Sequence, residues 1–262
     1  MAKKLVDYHT EEGIAILELN NPPANAYTYE MNRDLDDAIL QARLDEGIHV
    51  IVITGKSERF FCAGADIQLL SKKSTQYKYY FALHANETFH RFEQTPKLVI
   101  AALNGHTLGG GLEIALSCDI RIAKKDGGKI GLPEVTLGVL PGTGGTQRLP
   151  RLIGKGRAME MMTTGMTLSF EDALEIGLVH HVYEQEGFLE KVKEYAKQFL
   201  PPGKASKAVG AIKRSVQVGL EAPLMEALAV ERELLQQLFE SEDAEEGLKA
   251  YDEKRRPEFK GK

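Results

Sequence analysis

Two glutamates stand in glycine-rich, largely apolar sequence. Glu113 lies in NGHTLGGGLEIALSCDI (104–120), and Glu134 lies in GLPEVTLGVLPGTGGTQRLPRLIG (131–154). No basic residue stands close to Glu134 in the chain. A carboxyl group in apolar surroundings holds its proton more tightly than one in water, which suits acid/base work near neutral pH. The glycines add a second kind of chemistry. The run 97–103 reads as a strand and the helical pattern resumes at LEIALSCDI, so Gly110 or Gly111 falls at a helix N-terminus. Free backbone N–H groups point outward there and the dipole favours negative charge. Glycine also lets a ligand approach the backbone closely. Together these are the requirements of an oxyanion hole, with Glu113 in the first helical turn beside it. The plainer reading is that Glu113 only complements the helix dipole.

ERFFCAGADIQLL (58–70) has the same character. Cys62-Ala63-Gly64-Ala65-Asp66 follows a strand and a polar turn, and Ala-Gly-Ala is compact enough to offer another N–H. Its plainer reading is a tight turn with Asp66 capping a helix through Leu70. PGTGG (141–145) is a further flexible loop able to touch a ligand. Other motifs fail. GKSE (55–58) lacks the upstream glycine of a phosphate loop, because position 50 is Val. There is no GxSxG elbow and no dinucleotide fingerprint. His180-His181 has no partners at metal-ligand spacing, so no metal is expected. His106, nearest the glycine triplet, reads as a core or loop histidine.

These pieces need elements to hold them. GIAILELN (13–20) alternates and reads as a strand, broken by NPPANAY (21–27). Residues 31–46 put Met31, Leu35, Ala38, Ile39 and Ala42 on one helical face, and HVIVITG (49–55) reads as a buried strand. Strand, helix and buried strand make a crossover, which implies parallel pairing. The pattern repeats in a helix over 76–93 (Tyr77, Phe81, Ala85, Phe89 and Phe92 inward), a strand over 97–105 and a fourth over 120–125. From about Ser169 the signals are mainly helical. The expected class is therefore α/β with a C-terminal helical region. Pro201-Pro202-Gly203 is the seam between a core of residues 1–200 and a helical region of residues 201–262.

The 262 residues carry a formal charge of −5, with 43% apolar and 27% charged residues and dispersed Lys and Arg. No basic face points to nucleic acid. Two cysteines without a zinc pattern suit a reducing cytoplasm. The N-terminus shows neither an apolar leader core nor Arg/Ser-rich transit character. The weakly charged run Leu98–Cys118 is long enough to span a bilayer, but Asn104, His106, Glu113 and the glycine triplet argue against insertion, so no membrane contact is expected.

Taken jointly, NPPANA (21–26), FFCAGADI (60–67), NGHTLGGGLEIALSCDIRIA (104–123), GLPEVTLGVLPGTGGTQRLPRLIG (131–154) and EKRRPEFK (253–260) resemble the crotonase superfamily, most closely its enoyl-CoA hydratases. The resemblance covers about residues 5–260. It implies a spiral of ββα turns with a C-terminal helical region, assembled as homotrimers or paired into homohexamers. It implies an acyl-CoA thioester substrate, the setting of β-oxidation and fatty acid metabolism, and no cofactor beyond the CoA of the substrate. The oxyanion donors would be the N–H groups of Ala65 and Gly110. Glu113 would position and deprotonate the water that attacks C3, and Glu134 would help hold that water and protonate C2. Gly142 matches a position beside the water. Ala24 and Ala26 match positions near the pantetheine. Ala65, Asp66, Ile67 and Gln68 match the strip beside the adenine and thioester. Tyr251 and Lys254 match a C-terminal aromatic and lysine that contact CoA, in some members from a neighbouring subunit.

The chain departs from the usual pattern at Tyr27-Thr28, where an aliphatic or small residue and Ser are common. It departs also at Leu132, where many hydratases have Gln, and over 124–129, one residue longer. The expected activity is reversible syn hydration of trans-2-enoyl-CoA to 3-hydroxyacyl-CoA. Alternatives are double-bond isomerisation, which needs mainly the Glu134 role, a specialised crotonase on a branched acyl-CoA, and a non-catalytic acyl-CoA-binding subunit. The last would predict eroded glutamates or glycines, and both sets are intact.

Overall fold

The computed structural model describes residues 3–262. The chain opens with β1 (Val6–Glu11) and β2 (Ile14–Leu19), an antiparallel hairpin in which Val6 faces Leu19. Helix α1 (Tyr29–Leu44) follows, started by Thr28, whose side chain accepts from the Met31 N–H. Its inward residues are Met31, Leu35, Ala38, Ile39 and Ala42, as the 3.6-residue period requires. From here the chain coils. β3 (Val50–Gly55) and β4 (Phe60–Cys62) lead through the short α2 (Ile67–Ser71) to α3 (Thr75–Gln94). β5 (Leu98–Leu103) and β6 (His106–Leu108) lead to α4 (Gly110–Leu116). β7 (Ile120–Lys124) and β8 (Lys129–Gly131) lead through a 3₁₀ turn, Glu134–Leu137, to α5 (Gly145–Ile153) and α6 (Lys155–Thr164). β9 (Thr167–Ser169), α7 (Phe170–Glu175) and β10 (His181–Tyr183) complete the core, and α8 (Phe188–Lys197), α9 (Ser206–Gly219), α10 (Leu224–Phe239) and α11 (Glu242–Asp252) follow.

Each turn of the coil from β3 to β8 lays one strand in each of two sheets. The larger sheet runs β1-β2-β3-β5-β7-β10 and is parallel beyond the first hairpin. The smaller runs β4-β6-β8-β9, with only β9 antiparallel. This is the spiral of ββα turns that the resemblance implies. β3 sits mid-sheet and all six of its residues are buried, which explains its unbroken apolar run. One core fills the space between the sheets and the inward faces of α1, α3 and α4. A second, smaller one lies under α8 and takes the other face of β2, β3 and β5. Each fully buried Phe or Ile there contributes roughly 1.5–3 kcal/mol.

The crossover read from 13–55 is present, with β2 and β3 parallel. One expectation needs correction, and two strands were not foreseen. The strand over 97–103 does not run straight into the glycine turn. β6 intervenes, and it crosses to the second sheet before Gly109. The stretch after Ser169 is mainly helical as expected, and it also holds one short strand, His181–Tyr183, that pairs in parallel with β7. The N-terminal strand β1 is also additional; its exposed outer residues hide the alternation that marks a half-buried strand.

α9 is anchored to the core through one buried lysine. Lys213, buried on α9, donates to the carbonyls of Phe92 (2.6 Å) and Lys97 (3.0 Å) and pairs with Asp119 at 2.7 Å. α10 contributes no buried residue at all, and Leu224, Met225, Leu235 and Phe239 are exposed along it.

Candidate active site

The CAGAD loop and the glycine triplet meet at the edge of the second sheet. Gly64 (φ +92°) and Gly109 (φ +55°) both occupy the left-handed half of backbone space, where a side chain would be strained. A methyl group on Gly64 would lie 3.1 Å from the Gly110 nitrogen, so the two loops are in close approach. Tyr27 stitches the first loop down. Its N–H donates to Gly64 O (2.9 Å) and its carbonyl accepts from Asp66 N–H (3.1 Å). That pairing leaves the N–H of Ala65, between them, without a protein acceptor among the described residues. Gly110 is the first residue of α4, so its N–H has no intrahelical acceptor either. Two backbone donors are thus left free at one place, as an oxyanion requires.

Glu113 follows one helical turn later and is 2% exposed. Its carboxylate is held by the PGTGG loop. Oε1 accepts from the N–H groups of Thr143 and Gly145, both at 2.7 Å, and Oε2 accepts from the Thr143 hydroxyl. Burial pushes this carboxyl above its ordinary range, and the three donors pull against that rise. A methyl on Gly145 would fall 2.7 Å from Pro141 Cβ and 3.1 Å from Glu113 Oε1, so the loop closes on the carboxylate only with glycine there. Arg148 fixes the loop from behind. It forms a two-point pair with Glu93 (2.7 and 2.9 Å) and donates to Thr143 O at 3.2 Å.

Glu134 opens the 3₁₀ turn on the other side of Gly109. A methyl on Gly109 would lie 3.0 Å from its Oε1. Its Oε2 is buried with no hydrogen-bond partner among the described residues. Burial is the chief cause that raises its carboxyl to about 7; its own N–H opposes the rise and the charge of Glu113 adds to it. The two carboxyls therefore differ in kind. Glu113 is held by three donors, and Glu134 is held by none outside its own residue. The first is set in a fixed position to accept a proton, while the second, whose proton leaves at about 7, can give one up near neutral pH.

The remaining residues named from the resemblance divide into two groups. Ala24 lies against the CAGAD loop, its carbonyl accepting from Ala63 N–H at 3.0 Å, and Ala26 is half-buried next to Tyr27. Asn25 between them is buried and donates to both Phe60 O and Phe61 O (3.1 Å each), clasping β4. Asp66 caps α2 through the Leu69 N–H, and Ile67 and Gln68 are exposed at its start. Gly142 is exposed; the neighbours Thr143 and Gly145 make the contacts to Glu113 instead. Tyr251, 84% exposed at the end of α11, and Lys254 beyond it make no hydrogen bond to the loops that hold the glutamates.

Sequence reasoning overlooked Tyr27, Thr143, Gly145 and the Glu93–Arg148 pair. Thr143 and Gly145 lie within PGTGG, so the motif was visible although the atoms were not. Tyr27 had shown itself only as a departure from a common pattern. The rim after Glu134 was also overlooked. Val135, Leu137, Val139 and Leu140 are all 41–65% exposed.

A family model described as enoyl-CoA hydratase/isomerase matches residues 9–262. The crotonyl-CoA hydratase of Syntrophomonas wolfei is 36% identical, over 99% of both chains. The short-chain-enoyl-CoA hydratase of Clostridium acetobutylicum is 38% identical, over 95% of this chain and 94% of that one. Among solved structures, an enoyl-CoA hydratase from Geobacillus kaustophilus superposes with a TM-score of 0.97 at 45% identity, over 100% of this chain and 98% of the other.

Proposed function

This chain belongs to the enoyl-CoA hydratase/isomerase family, and from that premise we propose that it hydrates the 2,3 double bond of trans-2-enoyl-CoA thioesters, reversibly and with syn geometry. The thioester oxygen sits between the N–H groups of Ala65 and Gly110. Their donation draws electron density from the conjugated system and leaves C3 electrophilic. Glu113 takes a proton from water as its oxygen bonds to C3, and the π electrons move through C2 to the thioester oxygen. The enolate then collapses, and Glu134 delivers its proton to C2. Atoms balance: one water enters, and the proton gained by Glu113 restores the one given by Glu134. Positioned acid/base groups each contribute roughly 100- to 10,000-fold.

What carries the reading is the pairing of two unsatisfied N–H donors with two carboxyls, one buried and one half-buried, of unequal environment. Isomerisation needs mainly one such carboxyl, and the close seating of the second by Thr143 and Gly145 favours hydration. CoA runs along the backbone of Ala24, Ala26 and residues 65–68, with Gly142 beside the water. Tyr251 and Lys254 meet CoA from a neighbouring copy, a role their exposure permits. The chain assembles as a homotrimer or a pair of trimers through residues 201–262. The apolar residues left exposed on α10 support that assembly. The chain works in the cytoplasm, in β-oxidation-type metabolism; both cysteines are buried and unpaired, as a reducing compartment allows, and no described helix is long and apolar enough to cross a membrane. The chemistry requires no metal or redox cofactor.

The test is product analysis from crotonyl-CoA in ¹⁸O-water. Hydration gives 3-hydroxybutyryl-CoA with the label at C3. If the only conversion found is that of 3-enoyl-CoA to 2-enoyl-CoA, without label, isomerisation replaces it.

A further inference from the structure

Tyr27 stands where all parts of this site meet. Its backbone pairs with Gly64 and Asp66 and so sets the N–H of Ala65. Its ring lies against Gly110, where a methyl would fall 2.6 Å from the hydroxyl oxygen. Its hydroxyl is 3.4 Å from Thr143 Oγ1, which in turn contacts Glu113 Oε2. The ring itself cannot wander. It stacks on Phe81 (5.4 Å between centroids, 7° between planes) and meets Phe89 edge-on at 6.0 Å. Tyr27 is 3% exposed, so its hydroxyl has no bulk water to turn to.

Proton counting gives these hydroxyls a direction. An ionised carboxylate only accepts, so the single Thr143 hydroxyl proton must go to Glu113. Thr143 Oγ1 can then only accept from Tyr27. Tyr27 keeps its proton across the working range, because burial and the Glu113 charge raise its phenol well above the usual value. Hydrogen bonds in series polarise one another. The Tyr27 hydroxyl therefore strengthens the bond that Thr143 gives to the carboxylate.

We propose that Tyr27 is a positioning residue for the reaction: through Thr143 it holds the Glu113 carboxylate in place against the PGTGG loop, while its ring braces the oxyanion donor at Gly110. The role rests on the hydratase reading, but the interaction exists whether or not that reading holds. The titratable or charged groups around Glu113 are Tyr27, Glu134 and Arg148.

Two measurements separate the cases. The first is a ¹³C NMR titration of glutamate-labelled full-length protein, with the Glu113 carboxyl assigned by its loss in Glu113→Gln. Tyr27→Phe removes only the hydroxyl and keeps the ring between Phe81 and Phe89, so folding is preserved. It should raise the Glu113 pKa by a few tenths of a unit, since the bond is long and acts at second hand. Thr143→Val, which removes the direct donor, should raise it by about one unit or more. Thr143→Ser should restore the wild-type value. The double variant Tyr27→Phe/Thr143→Val should titrate like Thr143→Val alone, because Tyr27 acts through Thr143. The second is steady-state hydration of crotonyl-CoA. Tyr27→Phe should lower kcat by roughly two- to fivefold with KM little changed, and should move the acidic limb to higher pH. An unmoved Glu113 titration in Tyr27→Phe, or shifts that add in the double variant, would overturn the proposal. A wild type that hydrates no enoyl-CoA would instead sink the functional reading, while the titration still decides the coupling.

Discussion

Gly110→Ala puts the oxyanion donor under direct strain. The added methyl would lie 2.6 Å from the Tyr27 hydroxyl and 2.7 Å from Cζ, where carbon contacts normally sit at about 3.5–4.0 Å. Roughly 1 Å or more must be given up by one side. Tyr27 has little room to yield, with Phe81 stacked on one face and Phe89 at its edge. The glycine turn moves instead, and the Gly110 N–H leaves the point where the proposed reaction develops charge on the thioester oxygen. Loss of one such donor costs about 100- to 1,000-fold in kcat, and a 1 Å displacement alone costs about 100-fold. Overpacking should lower stability by about 1–3 kcal/mol. The assay is loss of the conjugated enoyl-thioester absorbance of crotonyl-CoA, beside a urea unfolding curve. Gly110→Ala/Tyr27→Ala relieves the clash but opens a cavity; its unfolding midpoint should show that the two substitutions do not add. A Gly110→Ala protein with wild-type kcat would refute the placement of the oxyanion at this turn.

In the proposed reaction Glu134 gives its proton to C2, and that proton leaves at about 7. The hydration kcat/KM should therefore fall as pH rises through that value, the dehydration rate should rise through it, and Glu134→Gln should abolish this limb; a flat profile from pH 6 to 8 would count against the assignment. Lys213→Met leaves the largely buried Asp119 without its paired cation. Unfolding by urea should show a loss of about 3–5 kcal/mol, and a loss below about 1 kcal/mol would mean that α9 is held by other contacts.

Four strands of the larger sheet were legible because they are long enough to show a pattern. β2, β3, β5 and β7 each span five or six residues and bury most of them. The second sheet was not. β4, β6, β8 and β9 are three residues each, too short for an alternation, and their partners lie a full turn of the spiral away. The same limit applies to the site. Glycine spacing placed Gly110 or Gly111 at a helix start and Glu113 in its first turn, because both are local consequences of the chain. Thr143 lies thirty residues from the carboxylate that it holds, and Tyr27 more than a hundred from Thr143. Only the closing of successive turns brings them together, and no local period records it. At Asp66 the plain reading holds: it caps α2, and the loop that it ends leaves the Ala65 N–H without a protein acceptor among the described residues.

The most direct test of the central claim is hydration of crotonyl-CoA by the purified protein, with Glu113→Gln and Glu134→Gln measured beside it. The account predicts rapid loss of enoyl absorbance in the wild type and a fall of about 100-fold or more in each variant, with unfolding midpoints preserved. A wild type inert on crotonyl-CoA and on longer trans-2-enoyl-CoAs, or a variant of either glutamate that keeps full activity, would contradict it.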